Sequence, residues 1–316
     1  MIMIARNYTR SANVVTHTAP HHGDEIFSTG MLALLFDLVM YLTRDVEFIN
    51  VIANLRNVIV YDVGNVFDPD KKRFDHHQKG FSECRPDGTV YSSAGLIWQH
   101  YGEDIVKKLG GPEIDETAAK VIAANVDDIL VKGIDAFDNG HRDDHGFMSV
   151  SAAVELFNPS WNEGTDKEAA FLEACGVAEK ILRRTIETTI AVYLGREPVE
   201  KAIETADSPV LVIDKNIDGW RETVLASENP KAKNLLYGVF LADDGSKWNV
   251  QAIPPSLDNM TGQRKPFPEA WRGLRDTGLA EVTGVDSAIF CHNNGFFASA
   301  KTKEGAIELA KKAAES

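Results

Sequence analysis

NVVTH (13–17), THTAPHHGDE (16–25) and VIVYDV (58–63) are the stretches on which the fold reading turns. The first predicts a short strand that ends in a polar loop. Asp24 and Glu25 then open a helix, since carboxylates are stabilised beside the unpaired N–H groups of a first turn. The apolar stretch Ile26–Thr43 reads as the body of that helix. VIVYDV predicts a buried strand with Asp62 at its carboxyl end. Strand, helix and strand in succession predict an α/β fold. In open sheets of that class ligands bind at the carboxyl ends of the strands. Ile26–Thr43 is nearly one bilayer span long, but it contains Asp37 and follows an acidic pair, so the reading is a core helix and no membrane partner.

Outward from there, GNVFDPDKKRFDHHQKGF (64–81) is rich in turn residues. Ser92–Leu109 predicts a helix ended by Gly110 and Gly111. Asp115–Val131 predicts another, with Ala118, Ala119, Ile122, Ala123 and Val126 on one face. Residues 166–194 predict a long helix. Pro198 and Pro209 bracket an expected connection, giving domains at 1–200 and 208–316. Beyond it, 209–214, 235–243, 247–254, 287–292 and 296–301 predict strands, and Lys303–Ala314 a closing helix. The expected architecture is an α/β domain with a mainly parallel sheet flanked by helices, plus a smaller C-terminal α+β domain.

The 316 residues carry 33 basic and 47 acidic side chains, a net charge of −14. Residues 1–200 hold 19 basic against 31 acidic residues, so most of the excess lies there. This balance excludes broad binding to duplex DNA, which needs a basic surface. Cys84, Cys175 and Cys291 are widely spaced and form no CxxC, so a disulfide framework or a thiolate zinc site is not expected. All three read as ordinary buried residues. With no signal-like stretch at the N-terminus, a cytoplasmic location is expected.

Nine histidines are present, and five fall in two groups: His17, His21 and His22, then His76 and His77. Asp24 and Glu25 accompany the first group and Asp75 the second, with Asp62 between them. Asp135 and Asp138 follow in DAFDNG (135–140). Imidazoles and carboxylates without thiolates suit manganese, iron, cobalt or zinc. The set exceeds what one tetrahedral ion needs and matches two adjacent divalent cations sharing a carboxylate, an arrangement that activates water for phosphoester hydrolysis. GHRDDHG (140–146) reads as an exposed loop despite its metal-like composition.

The ordered set THxxxxHxDE (16–25), VYDVG (60–64), DPDKKRFDHHQKGF (68–81), SSAGL (92–96), DAFDNG (135–140) and FNPSW (157–161) resembles the Myg exonuclease family, which is related to the DHH phosphoesterases. The resemblance continues through PFPEAWRGLRD (266–276) and FCHNNGFFASAKTKEGA (290–306). It implies a DHH-type catalytic domain with a two-metal centre, usually of manganese, and a smaller substrate-holding domain. His17 and His22 would bind the first ion, Asp24 and His76 the second, and Asp62 both. Asp138 would be the last ligand, with Asp135 as fallback. His77 would face the substrate phosphate, and Asp75 would orient the imidazoles. Related phosphoesterases place two aspartates where this chain has His22 and Asp24, which bears on the preferred ion: manganese first, with zinc, magnesium, iron or cobalt as alternatives. His21 is an extra candidate ligand.

The second domain is expected to supply positive charge. Arg264, Lys265, Arg272, Arg275 and His292 are the candidates, with Arg272 and Arg275 sharing a face if WRGLRD is helical. Trp161, Trp271 and Phe267 are candidates for base stacking. The function implied is a metal-dependent phosphodiesterase, a 3′-5′ exonuclease on RNA or short oligonucleotides. The alternatives are a small-molecule phosphoesterase or pyrophosphatase, or a non-catalytic metal-bound scaffold. Self-association into a homo-oligomer is compatible with the sequence but not specified by it.

Overall fold

The computed structural model describes residues 1–52, 57–141, 147–206 and 209–316. GHRDDHG falls largely outside them. The chain divides into two compact units, Met1–Ile190 and Ala191–Ser316. Among the described residues, no helix is long and apolar enough to cross a membrane.

The first unit is built on a six-stranded sheet: β1 (Ile2–Ile4), β2 (Val14–Thr16), β3 (Leu38–Leu42), β4 (Ile59–Tyr61), β5 (Phe67–Asp68) and β6 (Arg73–Phe74). The order is β1-β3-β2-β4-β6-β5, and every pair but β5–β6 is parallel. From β2 the chain passes through helix α1 (Gly23–Leu35) to β3 on one side, then through α2 (Val46–Ile52) to β4 on the other. The strand order therefore reverses at β2, the topological switch point where open α/β sheets hold ligands. Val15 lies opposite Val60, and Tyr61 opposite Phe74. Thr16, Tyr61 and Phe74 thus end abreast, and the next residues are His17, Asp62 and Asp75.

Two expectations need correction here. Ile26–Thr43 is not one helix. α1 stops at Leu35, Phe36 is extended, and Leu38–Leu42 is a strand that buries Leu38 and Met40. Asp37 marks the break: its side chain is exposed and meets the N-terminal ammonium at 2.8 Å. A continuous apolar run does not distinguish a buried helix from a buried parallel strand. The stretch 64–81 also holds more than turns. Asp68 accepts from the Lys71 N–H, Lys72 takes a left-handed conformation, and the chain folds back as a hairpin with arms of two residues each. Its second arm, β6, joins the parallel sheet.

Helices α3 (Ser93–Gly110), α4 (Glu116–Val126), α5 (Lys132–Asp138) and α6 (Val150–Glu155) complete the unit, with α1 against α3. Asp127–Val131 forms a π-helical turn between α4 and α5. Helix α7 runs Lys167–Thr205 and passes Pro198 without breaking, contrary to the sequence reading. An interior proline costs about 3 kcal/mol. Val199 and Ile203, just beyond it, are fully buried against Leu211, Ile213 and Trp220, which offsets that cost. Cys84 is exposed, also against expectation, while Cys175 and Cys291 are buried.

In the second unit, β7 (Val210–Ile213), β8 (Tyr237–Leu241), β9 (Trp248–Ala252), β10 (Ala288–Cys291) and β11 (Phe297–Ala300) form a sheet of order β10-β11-β9-β8-β7. Only β7–β8 is parallel. Strand alternation divides the core. Val239, Val250 and Ala298 face helix α10 (Lys303–Glu315) through Leu309 and Ala310, whereas Phe240 faces Trp220 and Val224 of α8 (Trp220–Ala226). WRGLRD is not helical: Arg272 is extended, Gly273 has φ +80°, and α9 (Asp276–Thr283) starts only after Arg275.

Candidate metal centre

Asp62 follows β4 in a left-handed conformation, φ +53°, rare for a residue other than glycine. Its carboxylate lies between two groups of histidines. Oδ2 is 3.0 Å from His17 Nε2. Oδ1 is 3.4 Å from His76 Nε2 and 3.6 Å from His77 Nδ1, and it accepts from Ser93 Oγ at 3.2 Å.

Asp75 is committed to the turn that follows it. Its Oδ1 accepts from the His76 and His77 N–H groups at 2.8 and 3.2 Å and lies 2.7 Å from His77 Nδ1. Its Oδ2 accepts from the Asn65 N–H. The Asp75 contact engages Nδ1 of the half-exposed His77 ring and leaves Nε2 as its other polar atom.

The first turn of α1 supplies the facing side. Glu25, fully buried, places Oε1 2.9 Å from His17 Nε2 and 3.0 Å from His21 Nδ1, while Oε2 accepts from the His22 N–H. Asp24 is also fully buried. Its Oδ2 is 3.8 Å from His76 Nε2, and Asp138 Oδ2 is 3.4 Å from that same nitrogen. Donor atoms lie within 4.8 Å of one another in three sets: His17, His22, Glu25 and Asp62; Asp62, Asp75, His76 and His77; His22, Asp24 and Asp138.

These residues fit divalent cations by their own chemistry. Neither Asp24 oxygen nor His76 Nε2 has a hydrogen-bond partner among the described residues, though all three atoms are buried. Buried polar atoms are otherwise almost always paired. The charges show the same deficit. Burial, reinforced by Asp62 and Asp138, pushes the Asp24 carboxyl well above the usual aspartate range. Burial likewise raises Asp138. Burial alone would raise Asp62, but His17 and His76 hold it well below the ordinary value. Burial disfavours a charged His17, yet Asp62 and Glu25 outweigh it and raise its pKa to about 10. Cations there would relieve the repulsion and use the orphaned donors.

The remaining candidates fall elsewhere. Asp135, three residues before Asp138 on α5, accepts from Ser92 N and Oγ, Gly95 N and buried Arg85 Nη1. It has no free oxygen for an ion, and it reaches α3 because Gly95 has no Cβ, which would stand 2.0 Å from Asp135 Oδ2. His21 pairs with Glu25 and stacks on Phe171 at 3.9 Å. In the second unit, Arg264 and Lys265 hold main-chain carbonyls of Ala232, Leu235 and Ala314. Arg272 donates to the Phe267 carbonyl, Arg275 lies over the Phe290 ring, and His292 Nδ1 accepts from the Asn294 N–H. Phe267 and Trp271 are core, whereas Trp161 is 97% exposed. Glu25 is the residue the sequence reading misses as a donor. Its signal is the spacing to His21 and His22, which puts its carboxylate back over its own helix start.

The chain is 31% identical to MYG1 protein C27H6.8 of Caenorhabditis elegans, over 95% of this chain and 94% of that one. It is 30% identical to the MYG1 protein of Dictyostelium discoideum, over 95% of each. It is 30% identical to the human MYG1 exonuclease, over 94% of this chain and 84% of that one. Solved structures overlap loosely. The pGpG-specific phosphodiesterase PggH from Vibrio cholerae gives a TM-score of 0.32 at 11% identity, covering 97% of this chain and 100% of that one. RecJ with Mg2+ from Thermus thermophilus gives 0.26 at 11%, covering 97% and 50%. The model of the MYG1 exonuclease family (MYG1_exonuc), described as Uncharacterised protein family (UPF0160), matches residues 13–314, and the chain belongs to that family.

Proposed function

We propose that this protein is a metal-dependent phosphodiesterase of DHH type that removes nucleotides from the 3′ end of RNA or short oligonucleotides, with two manganese ions as cofactor. One observation carries the metal chemistry: His76 Nε2, buried and without a hydrogen-bond partner among the described residues, faces carboxylates of Asp24, Asp62 and Asp138. Membership of a family whose human member is called an exonuclease supports the substrate class.

His17, His22, Glu25 and Asp62 would hold one ion; Asp24, Asp62, His76 and Asp138 the other. Bound divalent cations supply an acidified water and neutralise phosphate charge. The chain's own residues do the rest. Asp62 presents one oxygen to each histidine group and so fixes the spacing of the two positions. Asp75 holds His77 by Nδ1, so the exposed Nε2 edge is the face offered to a phosphate oxygen. Asp75 thereby orients His77 and takes no proton itself. Residues 1–200 form the catalytic domain, and 208–316 hold the substrate through Arg272, Arg275 and His292.

The test is hydrolysis by chelator-stripped protein with manganese added back, on a short 3′-hydroxyl RNA, matching DNA, a cyclic dinucleotide and pyrophosphate. Release of 5′-mononucleotides from RNA, abolished by His76→Ala, is expected. Cleavage of pyrophosphate alone would overturn the nuclease reading. No turnover with two ions bound would leave a scaffold.

A further inference from the structure

The FNPSW stretch (157–161) supplies no metal-binding side chain, yet it holds the loop that does. Asn158 follows α6. Its Oδ1 accepts from the His21 N–H at 2.9 Å, and its Nδ2 donates to the His21 carbonyl at 2.6 Å. One carboxamide thus pairs both main-chain groups of one residue, as a neighbouring strand would. Nδ2 also donates to the Glu155 carbonyl at 3.0 Å, which ties the carboxamide to the end of α6. From that helix, Glu155 Oε1 accepts from the Gly23 N–H at 2.9 Å. Ser151 packs so closely on Gly23 that a Cβ there would stand 2.6 Å from the serine Cβ.

His22 lies between these two attachments. It is exposed, unlike His17 and His21, and its ring meets the His17 ring at 5.6 Å. Its position depends on main-chain contacts: His21 clasped on one side, Gly23 on the other, and its own N–H on Glu25. Ordering the loop before a cation arrives removes a conformational cost from binding.

We propose that Asn158 is a positioning residue of the metal centre, clasping His21 so that His22 and Asp24 are held ready for the ions. This rests on the two-metal reading above. The effect expected is that of losing a supporting hydrogen bond, about 10–100-fold in metal affinity.

The experiment is manganese titration by calorimetry on the full chain, for wild type, Asn158→Ala, Asn158→Asp and Glu163→Ala. Asn158→Asp keeps shape and acceptor but sets a carboxylate against the His21 carbonyl. Glu163→Ala removes a contact to Ser160 N in the same segment and serves as control. Wild type and control should bind two ions. Both Asn158 variants should bind at least one of them about tenfold more weakly, with unchanged circular dichroism in chelator. Their kcat should recover when manganese is raised to saturation, which a general loss of structure would not allow. If Asn158→Ala fails to fold, Asn158→Asp decides. Wild-type affinity for both ions in the folded variants overturns the clasp and leaves the metal reading intact. Failure of wild type itself to bind manganese overturns the metal reading instead.

Discussion

Asp24 sets function against stability at a single residue. Its carboxylate is fully buried, has no hydrogen-bond partner among the described residues, and lies close to other carboxylates. Burying a carboxyl among other carboxylates is costly, whether as a charge or through the proton it must take up, and an isosteric amide removes that cost. In the Asp24→Asn variant an amide would take the place of the carboxylate beside Asp138 and offer it an N–H. Asp24→Asn should therefore melt higher than wild type in chelator, by several degrees. In manganese the order should reverse: a site filled at about 100 times its dissociation constant adds about 2.7 kcal/mol, and the variant forfeits part of this. Thermal unfolding of both proteins, with chelator and with manganese, checks the crossing. A variant less stable than wild type under both conditions would mean that the carboxylate has a structural partner.

At the scale of elements, the capped helices and the apolar strands such as β2, β4 and β8 are legible in the sequence, whereas β1, β3 and the two-residue β5 and β6 are not. α3 and α10 lie within a residue of their expected ends, because Ser92 and Thr302 side chains cap them. β6 has two residues and is invisible to periodicity, yet it delivers Asp75, His76 and His77. The histidine and carboxylate groups are readable as composition. Their convergence is implied by the family resemblance but not by periodicity, because it comes from three strands ending abreast. Glu25 escapes for a related reason: its role depends on where the helix start points. α7 shows the opposite error, a local rule overridden by packing. Pro198 cannot donate to the Leu194 carbonyl, so the helix lacks one bond there. Pro198→Ala should restore it and stabilise the protein by about 1–3 kcal/mol, the helix gain less the freedom the alanine adds to the unfolded chain. Urea unfolding monitored by far-ultraviolet circular dichroism measures this. Destabilisation would show that the proline bends the helix into its packing.

The charge of the whole chain bears on which substrates it meets. Nucleases that track long strands present basic grooves, and their binding weakens steeply with salt as counterions are released. This chain carries −14, with 19 basic against 31 acidic residues in the first 200. Two ions of charge +2 at the centre would neutralise part of that locally, where carboxylates crowd around His76. The outer surface would still repel a polyanion, and more strongly as the strand lengthens. Screening acts over about 10 Å at 0.1 M salt, so added salt weakens the outer repulsion more than it weakens the buried ion contacts. For a twelve-nucleotide RNA, kcat/KM should therefore rise as monovalent salt increases from about 20 to 150 mM, on the order of two- to fivefold. For a dinucleotide it should change little, since few of its phosphates lie beyond the centre. Initial rates at fixed free manganese give the comparison directly. A steep fall with salt for the longer strand would instead require a basic track through Arg272, Arg275 and His292 strong enough to dominate the acidic surface. The ratio of the two substrates' salt slopes thus reports whether the enzyme holds a strand along its length or grips only its end.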